Sequence, residues 1–324
     1  MSFIVFTAMF LGALLQQTPK PTLEPTVQAT VTITETPAEE GDGSAETEAI
    51  PFEVLTQQDL SVITGNVQRP NGMQWFAEKL YIICTGDWTI YEVDAITGST
   101  RTFISGVRNG HAMHVEADPE GRPLVWVPDA DTSRLLAVVQ TNAPRTAAEN
   151  LNSPWGMAVL DEDTFLISSL ANNELAKVTR GGEVSVVAGE FRSPTGVALD
   201  DERVYIANSG SSRRAIEWLD LESVVNGAAA EPQPLVRGLQ NVSNIVYAPD
   251  GHLYFAYAIG TRGVVGRVEP GECAENGGCD NDQVELVLYT DLSAPLAGLT
   301  ISDDMRVFVH TLFRPEIYWA QLEG

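Results

Sequence analysis

Histidine is scarce in this chain, four in 324 residues, and three of them stand in short segments that recur. His111 and His114 lie in NGHAMHV, and His310 ends the run VFVH. A neutral imidazole offers a lone pair to a cation, so a site built on these residues favours zinc or another transition metal over calcium. Matching segments carry Asn71 in RPNGMQW, Trp155 in SPWGMAV, Thr195 in SPTGVAL, Ser243 in VSNIVYA and Ala297 in APLAGLT. Superposing the six segments puts Asn71, His111, Trp155, Thr195, Ser243 and Ala297 at one equivalent position. Gln74, His114, Ala158, Ala198, Val246 and Thr300 fall at another. Polar groups therefore gather on the first two repeats. Two readings are open: a ligand site, or a channel whose polar side chains are satisfied by water.

The segments that position these residues repeat along the chain. The residues Gly72, Ala112, Gly156, Gly196, Asn244 and Gly298, each just before a short apolar run, are spaced by 40, 44, 40, 48 and 54 positions. In every repeat a second run follows: LYIIC, LVWV, FLIS, VYIA, LYFAYA, VFVH. These runs are short, rich in Val, Ile, Tyr and Phe, and bounded by Asp, Gly, Asn and Ser, which predicts strands. A third run (TIYEVD, LLAVV, LAKV, AIEWLD, VVGRV, EIYWAQL) and a fourth complete four strands in about 40 residues, the content of one propeller blade. The last repeat stops after its third strand. Residues 61–67, SVITGNV, precede the first repeat and read as the missing fourth strand. The expected fold is an all-β, six-bladed β-propeller, closed by this N-terminal strand pairing with the C-terminal blade.

The order P-x-G, apolar strand, acidic turn, L-Y-I/F-A, polar turn and third strand resembles NHL-repeat propellers and the related gluconolactonase-like (senescence marker protein-like) six-bladed propellers. The resemblance covers residues 51–324 and implies architecture more than chemistry. It also implies a role for Asn71, which matches the metal-binding Asn of the family's PNG motif. With His111, Asn71 would hold a divalent cation, Ca or Zn, that polarises a lactone or ester. The sequence departs from the family where a Glu should begin the first inner strand. The Asp of a later repeat is replaced by Trp155, Thr195 or Ser243.

Ahead of the propeller stand an apolar run within residues 1–16, suited to the core of a signal peptide, and a Thr/Pro/Glu-rich linker, 17–50, expected to be disordered. Seven acids and one Lys fall in residues 1–50, which leaves −19 of the −25 net charge on the propeller. That balance opposes nucleic-acid binding and insertion into a membrane. Cys273 and Cys279 bracket CAENGGC, where a local disulfide suits an exported protein, and Cys84 reads as a buried thiol. Loops after the second strands bring Asp87, Asp129, Asp131, Asn172, Asn208 and Ser209 to a rim. Trp88, Trp155, Tyr257 and Phe313 offer an aromatic platform or core packing. His252 falls in a hairpin turn.

The expectation is thus a secreted or cell-surface monomer that binds an extracellular protein, peptide or glycan. Asn71, His111, His114, Trp155, Asn208, Ser243 and His310 are its candidate channel and rim residues. The alternatives are a metal-dependent lactonase or esterase, and a metal-dependent propeller lyase drawing histidines from several blades. No G-x-S-x-G, phosphate-cradling glycine loop or Cys/His nucleophile pair occurs.

Overall fold

A computed structural model describes residues 53–228 and 230–322; the apolar segment 1–16 and the linker 17–50 lie outside the described residues. Six small sheets follow one another along the chain, each an antiparallel meander. Blade I is typical: Pro70–Phe76, Lys79–Cys84, Thr89–Asp94 and Thr100–Ser105, numbered from the channel outward. The inner strands of blades II to VI are His114–Ala117, Pro154–Val159, Pro194–Leu199, Gln240–Tyr247 and Leu296–Ile301. The ring closes as the sequence predicts. Ser61–Thr64 forms the outer strand of blade VI, with Ser61 opposite Trp319 and Thr64 opposite Ile317.

Each interface between neighbouring blades holds one apolar cluster. Tyr81, Ile83 and Phe103 of blade I pack with Val115, Val125 and Val127 of blade II, whereas Leu80, Ile82 and Val93 face Phe308 and Ile317 of blade VI. Successive residues of a strand point to opposite faces, and both faces of every blade are covered. This is why the second strands read as unbroken apolar runs rather than alternating ones. Buried Tyr, Phe, Leu and Ile side chains, each worth about 1.5–3 kcal/mol on removal from water, supply the main cohesive term between blades.

Three elements were not foreseen from the sequence. Leu55–Thr56 adds a fifth, parallel strand to blade V, and short helices, Leu221–Asn226 and Pro270–Glu275, bridge the third and fourth strands of blades IV and V. Cys273 and Cys279 are joined, with their Cα atoms 5.0 Å apart. The loop they close belongs to blade V, yet it bridges Val236 on the outer strand of blade IV. Cys84 is fully buried, and burial pushes its thiol up to about 12.

Strand direction sorts the loops into two rims. Inner strands begin where second strands end: Pro70 lies opposite Cys84, Pro194 opposite Asn208 and Leu296 opposite Thr311. This front face therefore collects the connections between blades and the turns from second to third strands. The back face collects the tight inner hairpins, where Phe76 meets Lys79 and Leu199 meets Val204.

Candidate functional site

The inner strands surround a cavity of about 320 Å³ lined by residues that include Met73, His111, Met157, Thr195, Asn244 and Thr300. At its front mouth the imidazole of His111 lies flat on the indole of Trp155, ring centroids 3.3 Å apart and planes 10° from parallel. Burial drives the imidazole down to about 3, so His111 is neutral near pH 7, and among the described residues its Nε2 has no hydrogen-bond partner. The stack joins blades II and III.

Asn71 is 1% exposed. Its Nδ2 donates to Asn109 Oδ1 at 3.2 Å, and Asn109 Nδ2 donates in turn to Asp131 Oδ1 at 2.9 Å, a relay from the buried amide to the rim of blade II. Among the described residues Asn71 Oδ1 is left without a partner. The Asn71 backbone carbonyl accepts from His310 Nε2 at 2.7 Å. A carbonyl only accepts, so the proton of His310 sits on Nε2 and its buried Nδ1 keeps an unshared lone pair. This contact sews blade VI to blade I across 239 positions of sequence.

The same equivalent position serves the remaining blades differently. Thr195 Oγ1 donates to the Val242 carbonyl at 2.8 Å, and Ser243 Oγ donates to the Leu296 carbonyl at 2.7 Å. Each hydroxyl thus reaches the next inner strand, at the residue preceding the equivalent position. Gln74 accepts from Val115 N–H at 2.9 Å in like fashion. Asn208, also at the front face, accepts from Arg192 N–H and donates to the Arg214 carbonyl and Glu217, fixing the corner of blade IV. Ser243 and Asn208 are therefore committed to holding strands, and so is the proton of His310. Asn71 Oδ1 and His111 Nε2 remain without a hydrogen-bond partner among the described residues, and of these two residues only His111 lines the cavity.

His114 does not join them. Its Nε2 lies 3.3 Å from Glu116 Oε2, and Glu116 is gripped through both oxygens by Arg180 and by the Trp126 indole N–H at 2.8 Å. Burial pushes the Glu116 carboxyl up, but these donors outweigh it and hold it down to about 2. Burial lowers His114 as well, against the pull of Glu116. Arg180 also lies over the Trp126 and Phe165 rings, so this network belongs to the interface of blades II and III.

The rim residues separate in the same way. Asp129 is buried and caps the N–H groups of Arg108, Asp131 and Thr132. Asp87 accepts from the Tyr91 hydroxyl, Asn172 donates to Glu174, Ser209 donates to the Ser193 carbonyl, and His252 lies beside Asp250. Tyr257 packs in the core between blades IV and V. Trp88 and Phe313 stand exposed on the front face. Sequence reasoning missed Asn109, whose NG context reads as a turn, and Ile259, which ends the second strand of blade V facing solvent.

A resident cation would find few free ligands among these side chains. Asn71 Oδ1 and His111 Nε2 are two donors, where zinc takes four ligands and calcium six to eight oxygens. Among the described residues no three His, Cys, Asp or Glu side chains are grouped so as to hold a metal ion. The side chains present therefore do not fit a calcium or zinc centre.

No family model and no curated protein matches the sequence. Solved structures do. A streptogramin B lyase is 13% identical, with 82% of this chain and 97% of the lyase covered at a TM-score of 0.59. A gluconolactonase from Xanthomonas campestris is 14% identical, covering 82% and 89% at 0.62. Regucalcin from Agrobacterium tumefaciens, a calcium-binding protein, is 12% identical, covering 83% and 95% at 0.61. Over some four fifths of its length, then, the chain has the fold of these lyase, gluconolactonase and regucalcin structures: the six-bladed β-propeller.

Proposed function

We propose that this propeller is a binding module that engages an extracellular protein, peptide or glycan through its front face. One observation carries the reading. Ile259, Phe313 and Trp88 belong to the second-strand ends or following turns of three consecutive blades, V, VI and I, and they are 42%, 74% and 53% exposed. Solvent-facing Trp and Phe on one rim of a rigid ring support a contact surface there, since buried aromatic anchors dominate most interfaces. The disulfide at Cys273 and Cys279 supports an oxidising, extracytoplasmic setting, secreted or at the cell surface.

The test is selection of peptides and glycans from display libraries on the full chain. Trp88→Ala with Phe313→Ala should weaken any selected ligand by about 2 kcal/mol or more, roughly thirtyfold, with the urea midpoint of unfolding unchanged. Selected ligands that ignore both changes would rule out the front face. The alternative, a metal-dependent lactonase, would need ligands beyond Asn71 Oδ1 and His111 Nε2, which by themselves do not make a calcium or zinc centre. Stoichiometric divalent metal in the purified protein, with chelator-sensitive lactone turnover lost in Asn71→Ala, would put that reading first.

A further inference from the structure

The two faces differ in how their charges are used. On the back face the inner hairpins of blades III, IV and VI read DED at 161–163, DDE at 200–202 and DD at 303–304. One Asp of each of the first two builds its turn: Asp161 accepts from Asp163 N–H at 2.9 Å, and Asp200 from Glu202 and Arg203 N–H at 2.8 and 2.7 Å. Among the described residues Glu162 and Asp201 accept no such bond. The arginines of the inner hairpins are neutralised, Arg122 by Asp118 and Glu120, Arg203 by Glu202 and Arg306 by Asp304, whereas exposed Arg145, at the back end of the fourth strand of blade II, has no ion pair among the described residues.

The front face of blades VI and I is the reverse. Arg69, Arg108 and Arg314 are exposed, and among the described residues none of them is ion-paired. They share one sector. Arg69 lies in the connection from blade VI to blade I, whose carbonyl accepts from Thr85 N–H in the turn before Trp88. Arg314 follows Phe313, and Arg108 lies over the Trp88 ring at 5.4 Å. The acids of the sector are Asp87, already bound by Tyr91, Glu316, whose Oε2 is buried, and, beside Arg108, Asp129, which caps three backbone N–H groups, and Asp131, which accepts from Asn109. A chain of net charge −25 thus keeps three free guanidinium groups beside its exposed aromatic side chains.

Guanidinium groups pair bidentately with carboxylates, and Trp88, Phe313 and Ile259 between them call for apolar side chains. A densely charged polyanion such as nucleic acid or an anionic membrane would be repelled by the rest of the chain. Resting on the front-face reading above, we propose that this sector docks an acidic polypeptide segment that also carries apolar side chains. The net charge of −25 would select a basic partner, whereas the guanidinium groups of this sector select an acidic one.

The probe is a labelled synthetic peptide of glutamates and leucines, titrated with the full chain by fluorescence anisotropy, with polygalacturonate and a lysine/leucine peptide as comparisons. The glutamate/leucine peptide should bind. Raising salt from about 50 to 500 mM should weaken it roughly tenfold, since exposed charges are screened. Arg69→Glu with Arg314→Glu should weaken it by about tenfold or more, while Glu162→Gln with Asp201→Asn on the back face leaves it unchanged. No binding, or binding indifferent to the arginine reversals, overturns the proposal, as does arginine-dependent binding of polygalacturonate tighter than that of the peptide. If Trp88→Ala and Phe313→Ala abolish binding of the lysine/leucine peptide while the arginine reversals do nothing, the front-face reading survives and the acidic partner falls.

Discussion

Gly156→Val should unfold the ring or lower its stability by about 3 kcal/mol or more, read as a shift of the urea midpoint at unchanged slope. A Cβ at 156 would stand 2.6 Å from the Thr195 carbonyl oxygen and 2.9 Å from both Cα and C of Gly196. All three are backbone atoms of the next inner strand, and none can swing aside. Gly72 meets its neighbour in the same way, its added Cβ lying 2.8 Å from the His111 carbonyl carbon and 2.9 Å from Ala112 N. At Gly196 the nearest atoms, Ile245 Cγ1 and N, are 3.0 Å off, and the effect of a valine there should be smaller. The recurring glycine is thus required by the close approach of inner strands around a narrow channel rather than by a turn. Gly271 is the control. A Cβ there meets nothing within 4 Å, and the residue sits in the helix Pro270–Glu275, so Gly271→Ala should be neutral or stabilising by about 0.5–1 kcal/mol. Gly156→Val within about 1 kcal/mol of wild type would mean that the blades can part without cost, against their observed packing.

The fold was legible because its signal is periodic. Each unit repeats an apolar pair of strands bounded by turn residues, and a strand covered on both faces leaves an unbroken run such as LYIIC. The ring closure was legible for the same reason, since Ser61–Thr64 fills a vacancy that the count of strands defines. Leu55–Thr56 was hidden because two residues carry no period, and the helix at Leu221–Asn226 because one and a half turns show no apolar stripe. The site was read less well, for a different reason. Asn71, Ser243 and His310 read in the sequence as channel or rim candidates, and Thr195 shares the repeated position of the first two. Their partners, Asn109, the Val242 and Leu296 carbonyls and the Asn71 carbonyl, lie 38, 47, 53 and 239 positions away and cannot be assigned without the ring. A buried polar side chain at a repeat boundary answers first to the unpaired groups of the next blade. Only where that demand stops, at His111 on Trp155 and at the Asn71 amide oxygen, is capacity left for a ligand.

The histidines make a second large effect measurable without knowing that ligand. Burial drives His310 down to about 4 and His111 down to about 3, from an ordinary value of about 6.5 in an unfolded chain. Above pH 6.5 neither state binds these protons. Between 6.5 and the folded values the unfolded chain takes them up and the folded ring does not, so stability must fall as pH falls. The slope contributed by these two groups ends only below about 3, where both states are protonated. Carboxylates act later: Glu116, held down to about 2, begins to withdraw stability only below its ordinary 4.5. The window from pH 6.5 to 4.5 therefore belongs mainly to the buried imidazoles, His114 adding in the same direction. Across it the wild-type chain should lose about 2 kcal/mol for each of His310 and His111, followed by urea unfolding at intervals of pH. His111→Phe keeps a flat ring on Trp155 and removes the titration, while His310→Gln keeps an N–H to donate to the Asn71 carbonyl. Each should cost some stability at pH 7 and flatten the dependence below it. A wild-type chain equally stable at pH 6.5 and 4.5 would show that these imidazoles accept protons in the folded ring, and that the mouth is wetter than its packing indicates.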